Sequence, residues 1–370
     1  MNLSYWEYKT WLSHIDFTIV GSGIVGLNCA LHLKQRFPKA KIVVLEKGFL
    51  PQGASTKNAG FACFGSISEI LADLRQHSEE EVFGLVQKRW NGIQLLRETL
   101  GDKALDFQQL GGHELFLEED GALFQNCVRM QDEVNRLLYP VFSGDAFHEH
   151  PNTFLFKGIR DKYITNSFEG QLDTGKMMAR LLWLVQNQGV IVLNGISVED
   201  FSENTSNIKV STDRFELNTN NLLIATNGFA AQLLNEHVQP ARAQVLITKP
   251  IKNLSIKGTF HFDEGYYYFR NIDCRILFGG GRNRDLKTEE TTVLEQTERI
   301  QKHLEKLLKK VILPGIPFEV DRRWSGIMGV GDIKRPIVKQ VSENVFCGVR
   351  LGGMGIAIGS LVGKELADLV

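Results

Sequence analysis

Two glycine clusters, more than three hundred residues apart, hold the residues whose types and spacing could do chemistry. Gly21-Ser22-Gly23-Ile24-Val25-Gly26 fits G-x-G-x-x-G, and Glu46, followed by Lys47, stands 20 residues after Gly26. In such a cluster Gly21 permits a tight turn and Gly23 lets the backbone approach a pyrophosphate. Gly26 lets a helix pack closely on a strand, and the phosphates meet free N–H groups at the helix N-terminus. Glu46 could accept hydrogen bonds from ribose hydroxyls. The plain alternative is a glycine turn without a ligand, but the strand, helix and acid that the fingerprint requires are all in place. Near the other end, Gly352-Gly353-Met354-Gly355-Ile356 opens the last apolar segment. A nicotinamide enzyme would finish its cofactor contacts early. A late return of glycines favours a flavin dinucleotide.

These residues need elements to position them. The apolar run at 17–20 reads as a buried parallel strand, 24–37 as a helix ended by Pro38, and 41–46 as a second strand. Together they form a βαβ unit. Residues 53–60, Gly-Ala-Ser-Thr-Lys-Asn-Ala-Gly, make a loop too poor in bulk for a core and rich in donors. Residues 68–100 read as mostly helical, with Ser78 before Glu81 as a cap. From Asp106 the pattern turns to short strands, including 112–117. A helix is expected over 172–188, a strand over 190–193, and a strand pair at 215–217 and 221–226 ending at Asn227-Gly228. Antiparallel strands are expected at 243–248, 265–270 and 275–280, then an amphipathic helix over 293–311 and a closing helix over 356–369.

Composition narrows the function. With 370 residues, 43% hydrophobic and 23% charged, the chain suits a large folded core, most often in two domains. A formal charge of -1 argues against a nucleic-acid partner, and against an RNA-modifying enzyme in particular. Five scattered cysteines without a CxxC pair argue against a zinc site or any other metal, and for a reducing compartment. A cytoplasmic location is expected, with no integral membrane segment. Trp6, Tyr8 and Trp11 are expected to form a short docking segment before the first strand, with membrane-surface contact as the sharper alternative.

The order and spacing of further motifs resemble the FAD-dependent oxidoreductases of the D-amino acid oxidase, glycine oxidase and sarcosine oxidase superfamily. The similarity is greatest to the gamma-glutamylputrescine oxidase-like branch. The motifs are Gly21–Gly26 with Glu46, the 53–60 loop, Gly170-Gln171-Leu172-Asp173, Ala225-Thr226-Asn227-Gly228 and Tyr267-Tyr268-Phe269-Arg270. Then follow 275–280, Trp324-Ser325-Gly326-Ile327-Met328 and the closing 352–355. The resemblance implies a Rossmann-like α/β FAD-binding domain, discontinuous over 1–80, 165–235 and 320–370. A mixed-sheet α+β substrate domain would fill 81–164 and 236–319.

It also implies roles. Ala54, Ser55, Thr56, Asn58, Ala59 and Gly60 would line the flavin side, and Val198 would sit beside the adenine. Residues 225–228, with Trp324 and Gly326, would pass close to the cofactor. Gly352, Gly353, Met354, Gly355 and Ile356 would aim free N–H groups at the flavin N1–C2=O edge, where reduction builds negative charge. The implied reaction is oxidation of a C–N bond by hydride transfer to flavin N5, then hydrolysis of the imine. Strand alternation puts Tyr268 and Arg270 on one face, as an aromatic wall and a fork for a carboxylate. An aromatic run of this kind also suits a plain core.

There are departures from the pattern. Met328 and Gly353 stand where amino-acid-oxidising relatives carry arginines, which counts against a simple α-amino acid carboxylate. Arg270, Arg282, Arg323 or Arg350 could substitute. Lys57-Asn58 and 325–328 hold neither of the histidine or cysteine anchors of covalent flavin, so FAD is expected to be non-covalent. Leu277 stands where some sarcosine oxidases have an oxygen-activating lysine, which leaves oxygen, a quinone or a carrier protein as acceptor. Two rivals stay open. One is a dehydrogenase of a hydroxy acid or polyol phosphate, with Arg322-Arg323 and Lys334-Arg335 as its basic cluster. The other is a flavin-binding subunit without turnover of its own.

Overall fold

The computed structural model describes residues 3–205 and 207–370, so the first two residues of the N-terminal segment lie outside the described residues. The apolar run Ile15–Val20 becomes the centre of an eight-stranded sheet. It pairs in parallel with Ile42–Glu46 on one side and Glu216–Ile224 on the other. Ile191–Asn194 and Val345–Val349 continue the parallel array outward. Strands buried on both faces lose the polar-apolar alternation, which is why Ile42–Glu46 is buried at every position.

The helices Ile24–Arg36 and Gly355–Asp368 lie together against this sheet's main core. Glycines bring them close. A Cβ at Gly359 would come within 2.6 Å of Ile24 Cγ2, and one at Gly363 within 2.6 Å of the Val25 carbonyl oxygen. The helix Glu79–Leu100 packs on the closing helix from outside, with Gly92 against the Ala357 backbone and the Ser360 hydroxyl donating to the Gly92 carbonyl at 2.6 Å.

A second eight-stranded sheet, mostly antiparallel, stands beside the first. Its middle is the hairpin Tyr267–Ile272 and Arg275–Gly280, flanked by Thr259–Phe262 and Gln239–Thr248. Asp273 and Cys274 both take positive φ, 48° and 57°, the backbone twist that two-residue hairpin turns need. One face of the sheet buries Phe260, Phe262, Tyr267, Phe269 and Phe278 against Ile300 and Leu304 of the helix Glu298–Leu307. The other face looks towards the first sheet.

Several expectations change. Glu216–Ile224 is one continuous strand rather than a pair. Its first half pairs with Ile208–Thr212 and its second half with Ile15–Val20, and Asn218-Thr219-Asn220 contains no turn-forming glycine. The amphipathic segment is helical only over Glu298–Leu307, followed by a wider turn over Leu308–Ile312. A 22-residue helix, Gly121–Phe142, occupies a region read as short strands; Phe124, Cys127, Val134, Leu138 and Val141 give it a buried helical stripe. Val320–Val330 was expected in the cofactor domain, but it pairs with Gln239–Thr248 in the second sheet. Glu79–Leu100, assigned by sequence mainly to the substrate domain, packs in the core of the first sheet. The N-terminal turn docks through Leu12, while Tyr5, Trp6, Tyr8 and Trp11 stay exposed.

Candidate functional site

The glycine turn sits at the carboxyl end of Ile15–Val20, the usual place for a ligand in an open α/β sheet. Gly21 takes φ 102°, and a Cβ there would stand 2.9 Å from the Ala225 carbonyl oxygen. A Cβ at Gly26 would overlap the Gly21 carbonyl oxygen outright. Glu46 is buried and ties the turn down. Its Oε2 accepts from Ser22 N at 3.0 Å and from the Ser22 hydroxyl at 2.7 Å, and its Oε1 accepts from Gly48 N at 3.0 Å. The acid therefore shapes the turn as well as being placed for a ribose. Lys47 beside it is exposed. Val198 is half-buried at the start of its own strand, close to where Ile196 N donates to the Glu46 carbonyl at 3.0 Å.

Two helices begin here without a side-chain cap: Ile24–Arg36 after Gly23, and Gly355–Asp368 after Met354. The start of the first lies against the second turn of the other through Ile24 and Gly359. Two positive dipole ends thus meet on one side of the sheet, the electrostatics an anionic group requires. Ile24 N donates to the Ser55 hydroxyl at 2.9 Å, which joins the 53–60 loop to the first helix.

That loop is braced from within. Asn58 Nδ2 donates to the Ala54 carbonyl at 3.1 Å and the Ser55 carbonyl at 2.9 Å, and its Oδ1 accepts from Gly60 N at 2.8 Å. The Thr56 hydroxyl donates to the Pro51 carbonyl at 2.5 Å. These side chains hold the loop's shape. From the second sheet, Trp324 Nε1 donates to the Lys57 carbonyl at 2.8 Å, and a Cβ at Gly326 would stand 2.8 Å from Lys57 Cβ.

Residues 225–228 and the closing motif meet across the same space. Asn227, at φ 46°, accepts at Oδ1 from Leu351 N at 3.1 Å. Gly228 packs on the Met328 carbonyl. Met354 Sδ lies 3.8 Å from Cys63 Sγ, and burial pushes the Cys63 thiol well above its ordinary range.

The substrate-side residues divide. Tyr268 lies on the face turned to the first sheet, its ring edge-on to Phe61 with centroids 5.9 Å apart. It lies over Gly279, where a Cβ would meet the ring and hydroxyl at 2.6–2.7 Å. Burial pushes its phenol up to about 12. Tyr267 points the other way into the core, as alternation requires. Arg270 shares the face of Tyr268 but is no open fork. Its Nη1 donates to the carbonyls of Ala59 at 3.1 Å, Gly60 at 3.2 Å and Leu172 at 2.7 Å, and its Nε to Asn271 at 3.2 Å. Burial lowers it to about 10. Nη1 and Nε are thus engaged by backbone carbonyls, while Nη2 has no hydrogen-bond partner among the described residues.

The substitutes fare no better. Arg323 donates to Gln301 Oε1 at 2.7 Å and pairs with Glu305 at 2.8 Å. Arg350 donates to the Arg335 carbonyl at 3.1 Å. Arg282 follows Gly281, which packs on Tyr267 and Ile300 at the far face. Met328 is half-buried and Gly353 exposed, neither with a charge to offer. Phe61 and Cys63 were not singled out from sequence; only their position after the donor-rich loop could have flagged them.

The residues present fit a flavin dinucleotide. A Cβ at Gly53, Gly352 or Gly353 would meet nothing within 4 Å, so these glycines border open space rather than packed protein. The Thr226 hydroxyl is buried there without a hydrogen-bond partner among the described residues.

Residues 16–369 match the model of the DAO family, described as FAD dependent oxidoreductase. A curated protein from Haemophilus influenzae, probable oxidoreductase OrdL, is 21% identical, over 98% of this chain and 84% of that one. Among solved structures, glycine oxidase from Geobacillus kaustophilus matches with TM-score 0.76 at 20% identity, covering 96% of this chain and 94% of that one. Iminodiacetate oxidase from Chelativorans matches with TM-score 0.75 at 19% identity, over 95% and 94% of the two chains. L-proline dehydrogenase from P. horikoshii matches with TM-score 0.73 at 18% identity, over 96% and 92%. At these identities the structures bear on the fold.

Proposed function

The chain belongs to the FAD dependent oxidoreductase family, and we propose that within it the protein oxidises a C–N bond of an amine or amino-acid-like substrate. FAD is the cofactor. When bound, it accepts a hydride from the carbon next to nitrogen at N5. In this reading residues 21–26 would hold the pyrophosphate, and the uncapped start of the closing helix would stabilise the negative charge that builds on the flavin. Phe61 and Tyr268 wall the substrate side and orient the amine. Water then hydrolyses the imine. Glycine, iminodiacetate and L-proline, for which three of the similar structures are named, all carry a C–N bond, which supports this chemistry.

The observation that carries the choice is the scatter of the basic residues a phosphate would need. Lys334 pairs with Asp73 at 2.7 Å and Arg335 with Glu81 at 2.8 Å, while Arg323 is held by Glu305. These pairings occupy Arg323, Lys334 and Arg335, which counts against the polyol phosphate rival. The engaged Arg270 and the uncharged Met328 and Gly353 favour an amine whose carboxylate, if it has one, is remote from the reacting carbon. Non-covalent FAD, and a place in the gamma-glutamylputrescine oxidase-like branch suggested by the order and spacing of the motifs together, belong to the same proposal. With Leu277 on the strand Arg275–Gly280, the acceptor is as well a quinone or carrier as oxygen.

Anaerobic bleaching of the flavin against a panel of amines, amino acids and hydroxy acids tests this. Bleaching by an amine class establishes the reaction. Bleaching by hydroxy acids alone overturns it, and a bound flavin that nothing reduces points to the partner-dependent subunit.

A further inference from the structure

The face of the second sheet turned to the cofactor carries one row not yet given a role. Glu114 is the strand partner of His261, and His261 is the strand partner of Tyr268. Side chains of directly opposed partners share a face, with Cβ atoms about 5 Å apart. The alternate positions Phe260, Tyr267 and Phe269 fill the apolar core, so this row takes the opposite face. Two contacts place that face against residues 61–68. Tyr268 meets Phe61, and Glu114 accepts from Ser68 N at 3.2 Å and also from the Ser68 hydroxyl.

The row is chemically uneven. Glu114 is 4% exposed, and burial raises its carboxyl above the ordinary range. His261 is half-buried; its Nε2 is out of solvent and without a hydrogen-bond partner among the described residues. A buried unpaired ring nitrogen is unfavourable unless a function retains it. Tyr268 leans over Gly279, on the side away from His261, and so does not cover the imidazole.

An alkylamine is an ammonium ion at neutral pH, with a pKa near that of lysine, about 10.4. Hydride can leave the adjacent carbon only when the nitrogen has its lone pair free. A proton acceptor is therefore needed in the site. Tyr268, Arg270 and Cys63 all hold their protons at neutral pH.

We propose that His261 accepts the proton that the substrate ammonium must lose, and that Glu114 is a positioning residue that stabilises the resulting imidazolium. An N–H bond of the ammonium breaks, its proton passes to the imidazole Nδ1, the ring nitrogen not sealed from solvent, and the amine nitrogen keeps the electron pair. The C–H pair then leaves as hydride, both electrons going to FAD, and the C=N bond forms. The imidazolium proton returns to water. His261 is faced by Glu114 and Tyr268 from the neighbouring strands, and Glu69 of the helix Ile67–Leu74 acts on Glu114; His261 also interacts with His113, which burial pushes down to about 3 and keeps neutral. This inference rests on the amine reading of the site.

The test uses the FAD-loaded protein and whichever amine of the panel bleaches it fastest. The limiting rate of anaerobic bleaching is followed from pH 6 to 10 in wild type, His261→Asn and Glu114→Gln. His261→Asn should slow bleaching at pH 7 by about 100-fold, and the loss should shrink as pH rises towards the amine's own pKa. Glu114→Gln should move the acid limb to lower pH, because the imidazolium loses its carboxylate. Proton NMR titration of the His261 ring without substrate should show the same downward shift in midpoint, a reading independent of turnover. A His261→Asn rate within threefold of wild type with an unchanged pH profile overturns the proposal, as does an NMR midpoint that Glu114→Gln leaves in place. If no amine bleaches the flavin, the amine reading itself fails, whatever the NMR midpoint does.

Discussion

On the first sheet the site is built from backbone. Gly21 and Gly26 are there because any side chain would strike a carbonyl oxygen, and Gly352, at φ 59°, and Gly353 border open space. On the second sheet it is built from side chains that hold one another. Arg270 holds the 59–60 loop, Trp324 holds Lys57, and Tyr268 lies in the space that Gly279 leaves. A wall made of backbone has few sequences that can form it. A wall made of side chains has many, and its meaning depends on partners that lie far away in the chain.

The largest expected effect comes from breaking the backbone wall. Gly26→Val should abolish tight flavin binding, with the absorbance ratio at 450 and 280 nm falling by more than about tenfold, because the new Cβ overlaps the Gly21 carbonyl. Next comes the strut between the walls. Arg270→Ala strands the carbonyls of Ala59, Gly60 and Leu172, and should cost about 3–5 kcal/mol in urea unfolding. If Arg270→Ala weakened only substrate affinity and left stability intact, the second wall would be a binding surface after all and the contrast would collapse.

A third test uses pH. Glu169 is buried, with Oε1 accepting from Phe64 N at 2.8 Å, and burial lifts its carboxyl from 4.5 to about 8. The folded pKa lies above the unfolded one, so the contribution is fully present below 4.5 and lost as pH rises through about 8. The melting temperature of the wild type should fall between pH 5 and 9, by an amount equivalent to about 2–4 kcal/mol. Glu169→Gln should flatten that slope, and a slope unchanged in the variant would remove Glu169 as its source. The smallest effect is expected at Tyr268→Phe. Loss of one hydroxyl should change KM or the bleaching rate roughly fivefold, about 1 kcal/mol, with no change in melting temperature.

The same contrast explains what could be read from the sequence. The first βαβ unit, the Glu46 position and the closing helix were legible because glycine spacing and apolar runs are local signals. The hairpin around Asp273 was legible from alternation. The helix Gly121–Phe142 was not, because its apolar stripe is interrupted by polar residues and Pro140 stands inside it. The pairing of the strand Val320–Val330 was not legible because its partner, Gln239–Thr248, lies some eighty residues earlier and carries no cue to it. The hold of Arg270 on three carbonyls was not legible, because sequence shows the charge but not the backbone it meets. His261 and Glu114 were passed over because only strand register makes them neighbours.

The abutting starts of the helices Ile24–Arg36 and Gly355–Asp368 have a temporal consequence. About 330 residues separate them, and at ribosomal speeds of roughly 5–20 residues per second the second helix is synthesised on the order of 15 to 70 s after the first. The nascent chain therefore cannot capture FAD as its first βαβ unit emerges. Cofactor loading must wait for the closing helix, and until then the glycine turn stays half-built.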